Sequence, residues 1–233
     1  MCGRFNTHDL TGQLLWLFGS LKVPPKLPPG RFNTAPTQEV TAIRTPHTGG
    51  REAAAFRWGL VPRWAKDLSL GVRMINARCE TVAEKPSFRD AIAKRRCLVP
   101  MCGYYEWQGD KKARQPFYVH LEDKRPFAVA GIWERWRGTD GEVETVSLLT
   151  QEATERMARL HHRMPVMVPR ERFDEWLNPD LRDPGLLVSF YNQGALDGLT
   201  WYAVDSVVNN ARNDVPECIA PLDPLAAAIA ATD

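Results

Sequence analysis

The chain has 233 residues, 44% of them hydrophobic, enough for one sizeable core, and no apolar run approaches the length of a membrane span. Lys and Arg number 30 against 28 Asp and Glu, so the net charge of +2 excludes a histone-like polycation while leaving room for a local basic cleft. Five cysteines, at 2, 79, 97, 102 and 218, show neither zinc spacing nor a disulfide framework, and the N-terminus lacks a signal-peptide pattern, which fits a reduced, intracellular chain.

The chain opens Met1-Cys2-Gly3-Arg4-Phe5. Residue 2 is small enough for Met1 to be trimmed, which would leave Cys2 with a free α-amine and a thiol on adjacent carbons. Such an aminothiol turns an aldehyde into an imine, and the thiol then closes a thiazolidine ring in an intramolecular step. The neighbouring ammonium and Arg4 are expected to lower the thiol pKa. The plain alternative is a buried thiol near an ordinary terminus.

Asp9 to Phe18 reads as a short helix with Leu10, Leu14, Leu17 and Phe18 on one face and Asp9 as its cap. Lys22 to Gly30 is Pro-rich and extended. Glu39–Arg44 and Glu52–Trp58 read as strands, and Gly59 to Asp67 as irregular chain. Met74 to Glu80 is a short segment carrying Asn76 and Arg78. Ser87 is expected to cap a helix reaching Arg95. Strands are then expected at Cys97–Pro100, Tyr104–Gln108, Phe117–Glu122, Phe127–Trp133 and Glu144–Leu149, with a hairpin turn over Gly109–Arg114. Helices are expected over Glu152–Leu160 and Glu171–Leu177 and from Asp183 toward Gln193, with strands at Val166–Val168 and Trp201–Val204. The pattern predicts an α+β fold: a single domain over 1–222, its mainly antiparallel, barrel-like β core carrying peripheral helices, and an Ala-rich tail over 223–233.

Glu106 lies in Gly103-Tyr104-Tyr105-Glu106-Trp107 and, in a strand, shares a face with Tyr104. Burial among aromatics would raise its pKa and make it a general acid or base; alternatively it pairs with Lys111 or Lys112 across the turn. His161 and His162 precede Arg163-Met164-Pro165, where a helix runs out into a loop, a position that suits either a site or favourable helix-end charge. Asn76 and Arg78 point the same way in an extended segment and could hold a reacting group and a phosphate. Arg4, Arg63 and Lys66 beside Trp64, Arg73, Arg78, Arg163 and Arg212 supply the cations and the flat face that a single-stranded nucleic-acid groove needs, although scattered surface charge gives the same tally.

Seven ordered segments carry a resemblance: Met1–Phe5; Arg31-Phe32-Asn33 with Ala35-Pro36; Trp58–Pro62; Ile75-Asn76-Ala77-Arg78 with Glu80-Thr81; Gly103–Trp107; His161 with Arg163-Met164-Pro165; and Val208-Asn209-Asn210. Together they resemble the SRAP (SOS-response-associated peptidase) family of abasic-site processing proteins, over nearly the whole chain. The resemblance implies single-stranded DNA containing abasic sites as partner and a covalent cross-link through Cys2. It places the positioning Asn at Asn76, the acid/base Glu at Glu106, the His at His161, and DNA contacts at Arg4, Trp64, Arg78 and Arg163. One departure is Arg63-Trp64-Ala65, where bacterial relatives often carry two adjacent Trp. Another is His162, where an Asp is common.

The reading is therefore a suicidal abasic-site sensor in single-stranded DNA, cross-linked as a thiazolidine, with attendant lyase-like and thiol autopeptidase activities. No metal and no organic cofactor is expected, because amine, thiol and proton transfer cover the chemistry. A cytoplasmic monomer, at the nucleoid during repair and without membrane contact, is expected. Two rivals are an N-terminal-nucleophile peptidase that processes Met1 and a non-covalent binder of modified DNA.

Overall fold

The computed structural model describes residues 2–46, 48–110, 114–138, 141–183, 187–191 and 196–222. Near the start lie β1 (Phe5–Asn6) and α1 (Leu10–Phe18). Alternating side chains then give β2 (Glu39–Arg44) and β3 (Glu52–Trp58), an antiparallel pair with the bounds the sequence indicates. The chain continues through β4 (Asn76–Arg78), α2 (Arg89–Lys94), β5 (Arg96–Met101), β6 (Gly103–Gln108) and β7 (Gln115–Leu121). After them come β8 (Phe127–Gly138), β9 (Gly141–Glu152), α3 (Glu155–Ala158), β10 (Arg163–Pro165), β11 (Met167–Val168), α4 (Phe173–Leu177) and β12 (Leu199–Ala203).

β9, β3, β2, β5 and β8 pair in that order, and β8 returns to pair with β9, so the five strands close into a barrel. Closure leaves these strands no open edge. β4 and β10 extend β9, and β11 extends β8. The pairings are antiparallel except β3–β9 and β4–β9, so the barrel is mainly antiparallel, as the sequence leads one to expect, and one parallel pair closes it. A separate antiparallel sheet runs β1-β6-β7-β12. One apolar cluster joins Phe5, Tyr104, Val119 and Leu199 of that sheet to Val40, Trp58, Val99, Val129 and Val146 of the barrel. Within it the Phe5 and Trp58 rings lie 4.7 Å apart, a geometry worth about 0.5–1.5 kcal/mol beyond burial. The whole is one α+β domain with few helices.

Several local expectations change. Asp9 caps no amide of α1; its carboxylate accepts from Gln13 Nε2 at 2.6 Å. Phe88, not Ser87, precedes α2. The helix expected over 152–160 shrinks to α3 because β9 runs on to Glu152, and Thr154 caps it by accepting from the Met157 amide. The strand read at 166–168 begins earlier, as β10 and β11. Leu68–Arg73 forms a 3-10 turn that alternation does not reveal. Of the helix expected from Asp183 toward Gln193, the described part holds a 3-10 turn at Val188–Phe190. Residues 111–113 of the expected hairpin and the tail 223–233 lie outside the described residues.

Candidate active site

β1 pairs antiparallel with β6, matching Phe5 to Tyr104, and the Tyr105 amide donates to Arg4 O at 3.0 Å. This register carries the first residues along the strand that holds Glu106. Cys2 is fully buried there, and its thiol faces the Arg4 carbonyl at 3.7 Å. β4 lies alongside β9, which presents Asn76, and Asn76 Nδ2 donates to Cys2 O at 2.8 Å. The expected link from Asn76 to Cys2 is present, but it holds the carbonyl. Asn76 Oδ1 is buried and accepts from no side chain or backbone group among the described residues. The site thus contains an idle acceptor on the side chain that fixes Cys2.

Glu106 is 3% exposed and lies on the same strand as buried Tyr104, two residues away and on the same face. Burial pushes its carboxyl up to about 7. Burial also pushes the Tyr104 phenol well above its usual value, with Cys2 and Glu106 adding to the effect, so it stays protonated. The Cys2 thiol pKa rises here, opposite to the direction expected for a Cys2 that carries a free α-amine. Burial and then the Glu106 charge outweigh the lowering effect of the amino terminus. The Arg4 guanidinium is turned to other partners. Nη1 donates to Asn33 Oδ1 at 2.8 Å and Val208 O at 2.9 Å, and Nη2 to Asn209 O at 3.3 Å.

His161 follows α3, its amide donating to Met157 O at 3.0 Å. Met157 and Leu160 belong to the cluster that contains Cys2, which brings this turn to the site. The His161 ring accepts at Nδ1 from the Arg163 amide at 3.0 Å and stacks on exposed His162. Burial and then the charge of the chain's amino end lower its pKa, favouring the neutral ring.

Among the expected DNA contacts, Arg163 is the one most enclosed by its own chain. It is 6% exposed. Its guanidinium grips Glu80 bidentately at 2.7 and 2.9 Å and donates to Thr150 O at 2.7 Å. With those donors turned inward it ties β10 to the segment after β4. Arg78, two residues from Asn76 on the same face of β4, is exposed, as is Arg212. Trp64 is 62% exposed and lines a shallow groove with Lys66 and Arg73. Arg63 beside it is paired with Glu134 at 2.9 Å.

Three residues around the site are not singled out by local sequence pattern. Tyr104 was legible as a neighbour of Glu106 by alternation alone. Glu80, the Arg163 partner, lies 83 residues away, beyond any local pattern. Asn33 holds Arg4 and donates to the carbonyls of Val208, Asn210 and Asn213, fixing the loop that carries Arg212.

Barrel and site together define a class: a single α+β domain that buries Cys2 beside a strand carrying a buried glutamate, Glu106. The family model described as SOS response associated peptidase (SRAP) matches residues 1–211. The chain belongs to that family. It is 37% identical over 225 residues to abasic site processing protein YoqW of Bacillus subtilis (strain 168), covering 94% of this chain and 99% of that one. It is 31% identical over 200 residues to abasic site processing protein HMCES of Mus musculus, covering 72% of this chain and 56% of that one. A crystal structure of a Bacteroides thetaiotaomicron protein matches with a TM-score of 0.73 at 28% identity, covering 83% of this chain and 86% of that one. One from Bordetella bronchiseptica matches at 0.74 and 25%, covering 88% and 100%.

Proposed function

We propose that this chain processes abasic sites in single-stranded DNA by linking itself to them through Cys2. An abasic deoxyribose opens to an aldehyde. Once Met1 is removed, the Cys2 amine adds to C1′ and loses water as the imine forms. The thiol sulfur then adds to the imine carbon, its proton passes to nitrogen, and a thiazolidine closes. The observation that carries this reading is Glu106. A carboxyl held up to about 7 by burial, on the strand against which Cys2 docks, can both accept and return protons near neutral pH.

The thiol raised by burial favours this reaction over peptidase chemistry. An amide is a poor electrophile and needs a thiolate, whereas an imine accepts a thiol whose proton Glu106 takes as sulfur attacks. Asn76 Oδ1 is the acceptor available to orient the amine. His161 donates a proton to the sugar oxygen as the ring opens and assists reversal. Trp64, Arg78 and Arg212 grip the strand by stacking and charge. Arg4 and Arg163 shape the site without spending their main donors on phosphate.

Intact mass, measured alone and after incubation with abasic single-stranded DNA, tests the proposal. The expected species is the chain without Met1 plus one DNA strand minus one water. Cys2→Ala should give no stable adduct and should keep non-covalent binding. A stable adduct of normal yield from Cys2→Ala overturns the thiazolidine.

A further inference from the structure

Beyond Ile132 and Thr145, β8 and β9 pair only with each other among the described residues. This end of the pair carries charge in two layers. Glu134 is shared by Arg63 and Arg95 at 2.9 and 2.6 Å, Glu142 by Arg135 and Arg137 at 3.0 and 2.6 Å, and Glu144 by Arg44 and Arg135 at 2.7 and 2.8 Å. The Glu134 side chain is only 7% exposed, whereas those of Arg63 and Arg137 are 65% and 79% exposed. Arg135 is exposed as well. The carboxylates form the inner layer, and these three guanidinium groups the outer one.

Sharing leaves donors over. Arg63 and Arg137 each spend Nε alone, on Glu134 and Glu142, while Arg135 spends Nε and Nη2 on Glu144. The Nη1–Nη2 edges of Arg63 and Arg137 therefore donate to no acceptor among the described residues. Such an edge presents two parallel N–H groups that fit two oxygens of one phosphate. Arg63, Arg135 and Arg137 line one concavity. The adjoining hollow adds Arg44, Lys94 and Arg95, so six cations stand over Glu52 and the three shared glutamates, an excess of two positive charges.

The concavity also has a fixed place relative to the candidate site. Arg63 precedes the exposed Trp64, and Trp136 Nε1 donates to Ala65 O at 2.8 Å. That bond pins the loop bearing the indole to β8, the strand that carries Arg135 and Arg137. Asn76 is matched to Leu148 on β9 and Arg137 to Glu142, which sets the guanidinium groups about 20 Å from Asn76 along the strand. A stacked nucleic-acid strand rises about 3.4 Å per nucleotide, so that gap spans several nucleotides.

We propose that Arg63, Arg135 and Arg137 form a second phosphate site, which rests on the reading that Trp64 stacks on single-stranded DNA: it holds the backbone of that strand several nucleotides from the reacting sugar. A free oligophosphate offers the same chemistry, and the test separates the two sources.

The experiment measures non-covalent binding of an intact single strand of about 16 nucleotides, in a Cys2→Ala background, over a series of salt concentrations. Arg63→Gln/Arg137→Gln removes the two open edges and leaves Arg135 to bridge the strands. It should weaken binding by about tenfold at low salt and flatten the log–log salt slope by about 0.7–1.4, the share of one or two phosphates on a single strand. Lys124→Gln/Arg125→Gln makes the same change of charge at two exposed positions just before the other end of β8, and should bind like the parent. Side-chain 15N shifts of Arg63 and Arg137 should move saturably with the DNA strand. The site is overturned if Arg63→Gln/Arg137→Gln keeps the parent affinity and slope, or if the Lys124/Arg125 variant loses as much, which marks net charge alone. It is also overturned if pyrophosphate moves those shifts and DNA does not, which marks a free oligophosphate as the ligand. Failure of the parent to bind any single strand sinks the reading of Trp64 and this site with it, whereas binding that is indifferent to Arg63 and Arg137 sinks this site alone.

Discussion

The candidate site has an interior half and an exterior half, and the same kinds of side chain do different work in each. Arg163 is buried with its guanidinium spent on Glu80 and Thr150, whereas Arg78 stands exposed beside the same β9 edge with no ion-pair partner among the described residues. Tyr104 is buried beside Glu106, whereas Trp64 offers its face to solvent. A guanidinium can hold phosphate only if its donors remain unspent, and an aromatic can stack on a base only if its face is open. Interior residues should therefore control reaction and stability, and exterior ones affinity.

The largest expected effect is interior. Glu106→Gln keeps shape and hydrogen bonding but cannot exchange a proton, so single-turnover cross-linking should slow by about 10²–10⁴-fold. The same variant should be more stable than the parent above pH 7. Glu106 keeps its proton to about 7 when folded and to the ordinary 4.5 when unfolded. Between those values the folded state binds more protons, so stability falls as pH rises through that window. Removing the group should recover about 1–3 kcal/mol at pH 8, read by urea unfolding at pH 4 and pH 8. A parent-like rate in Glu106→Gln would leave Cys2 to react unaided.

Arg163→Ala comes next, costing about 2 kcal/mol of stability through lost hydrogen bonds to Glu80 and Thr150. If it instead lowers DNA affinity at unchanged stability, the division into halves fails. In the exterior half, Trp64→Ala in a Cys2→Ala background should weaken single-strand binding by about tenfold, the lower range of one base stacked on an aromatic. Smallest is Arg78→Ala, which should change stability by less than about 0.5 kcal/mol. Its mark is a salt dependence of binding flatter by about one phosphate contact, measured over a series of salt concentrations.

The sequence makes the exterior half and the short strands legible, because both are written in local terms. β2 and β3 follow from alternation, and Trp64 from its cationic neighbours. β8 and β9 are longer than their apolar stretches suggest. Their ends are charged residues that satisfy each other across the pair: Arg135 opposite Glu144 at 2.8 Å and Arg137 opposite Glu142 at 2.6 Å. Read along one strand, such a run is polar; read across two, it is a ladder. Arg163 is opaque for the same reason, since its partner is remote in sequence. The direction of the Cys2 thiol pKa is opaque too, because neighbouring charge is visible in a sequence and burial by distant strands is not.

The ties around Cys2 also set a timetable for synthesis. Cys2 leaves the ribosome before the groups that enclose it: Asn76 is 74 positions later, and Arg4 reaches carbonyls 204 and 205 positions away. The surroundings of Cys2 are therefore completed only after Val208 and Asn209 have emerged. A thiol left exposed in the meantime would meet any small electrophile in the cell. The enclosure of Cys2 thus waits on residues made long after it, so it follows the order in which the polypeptide is built.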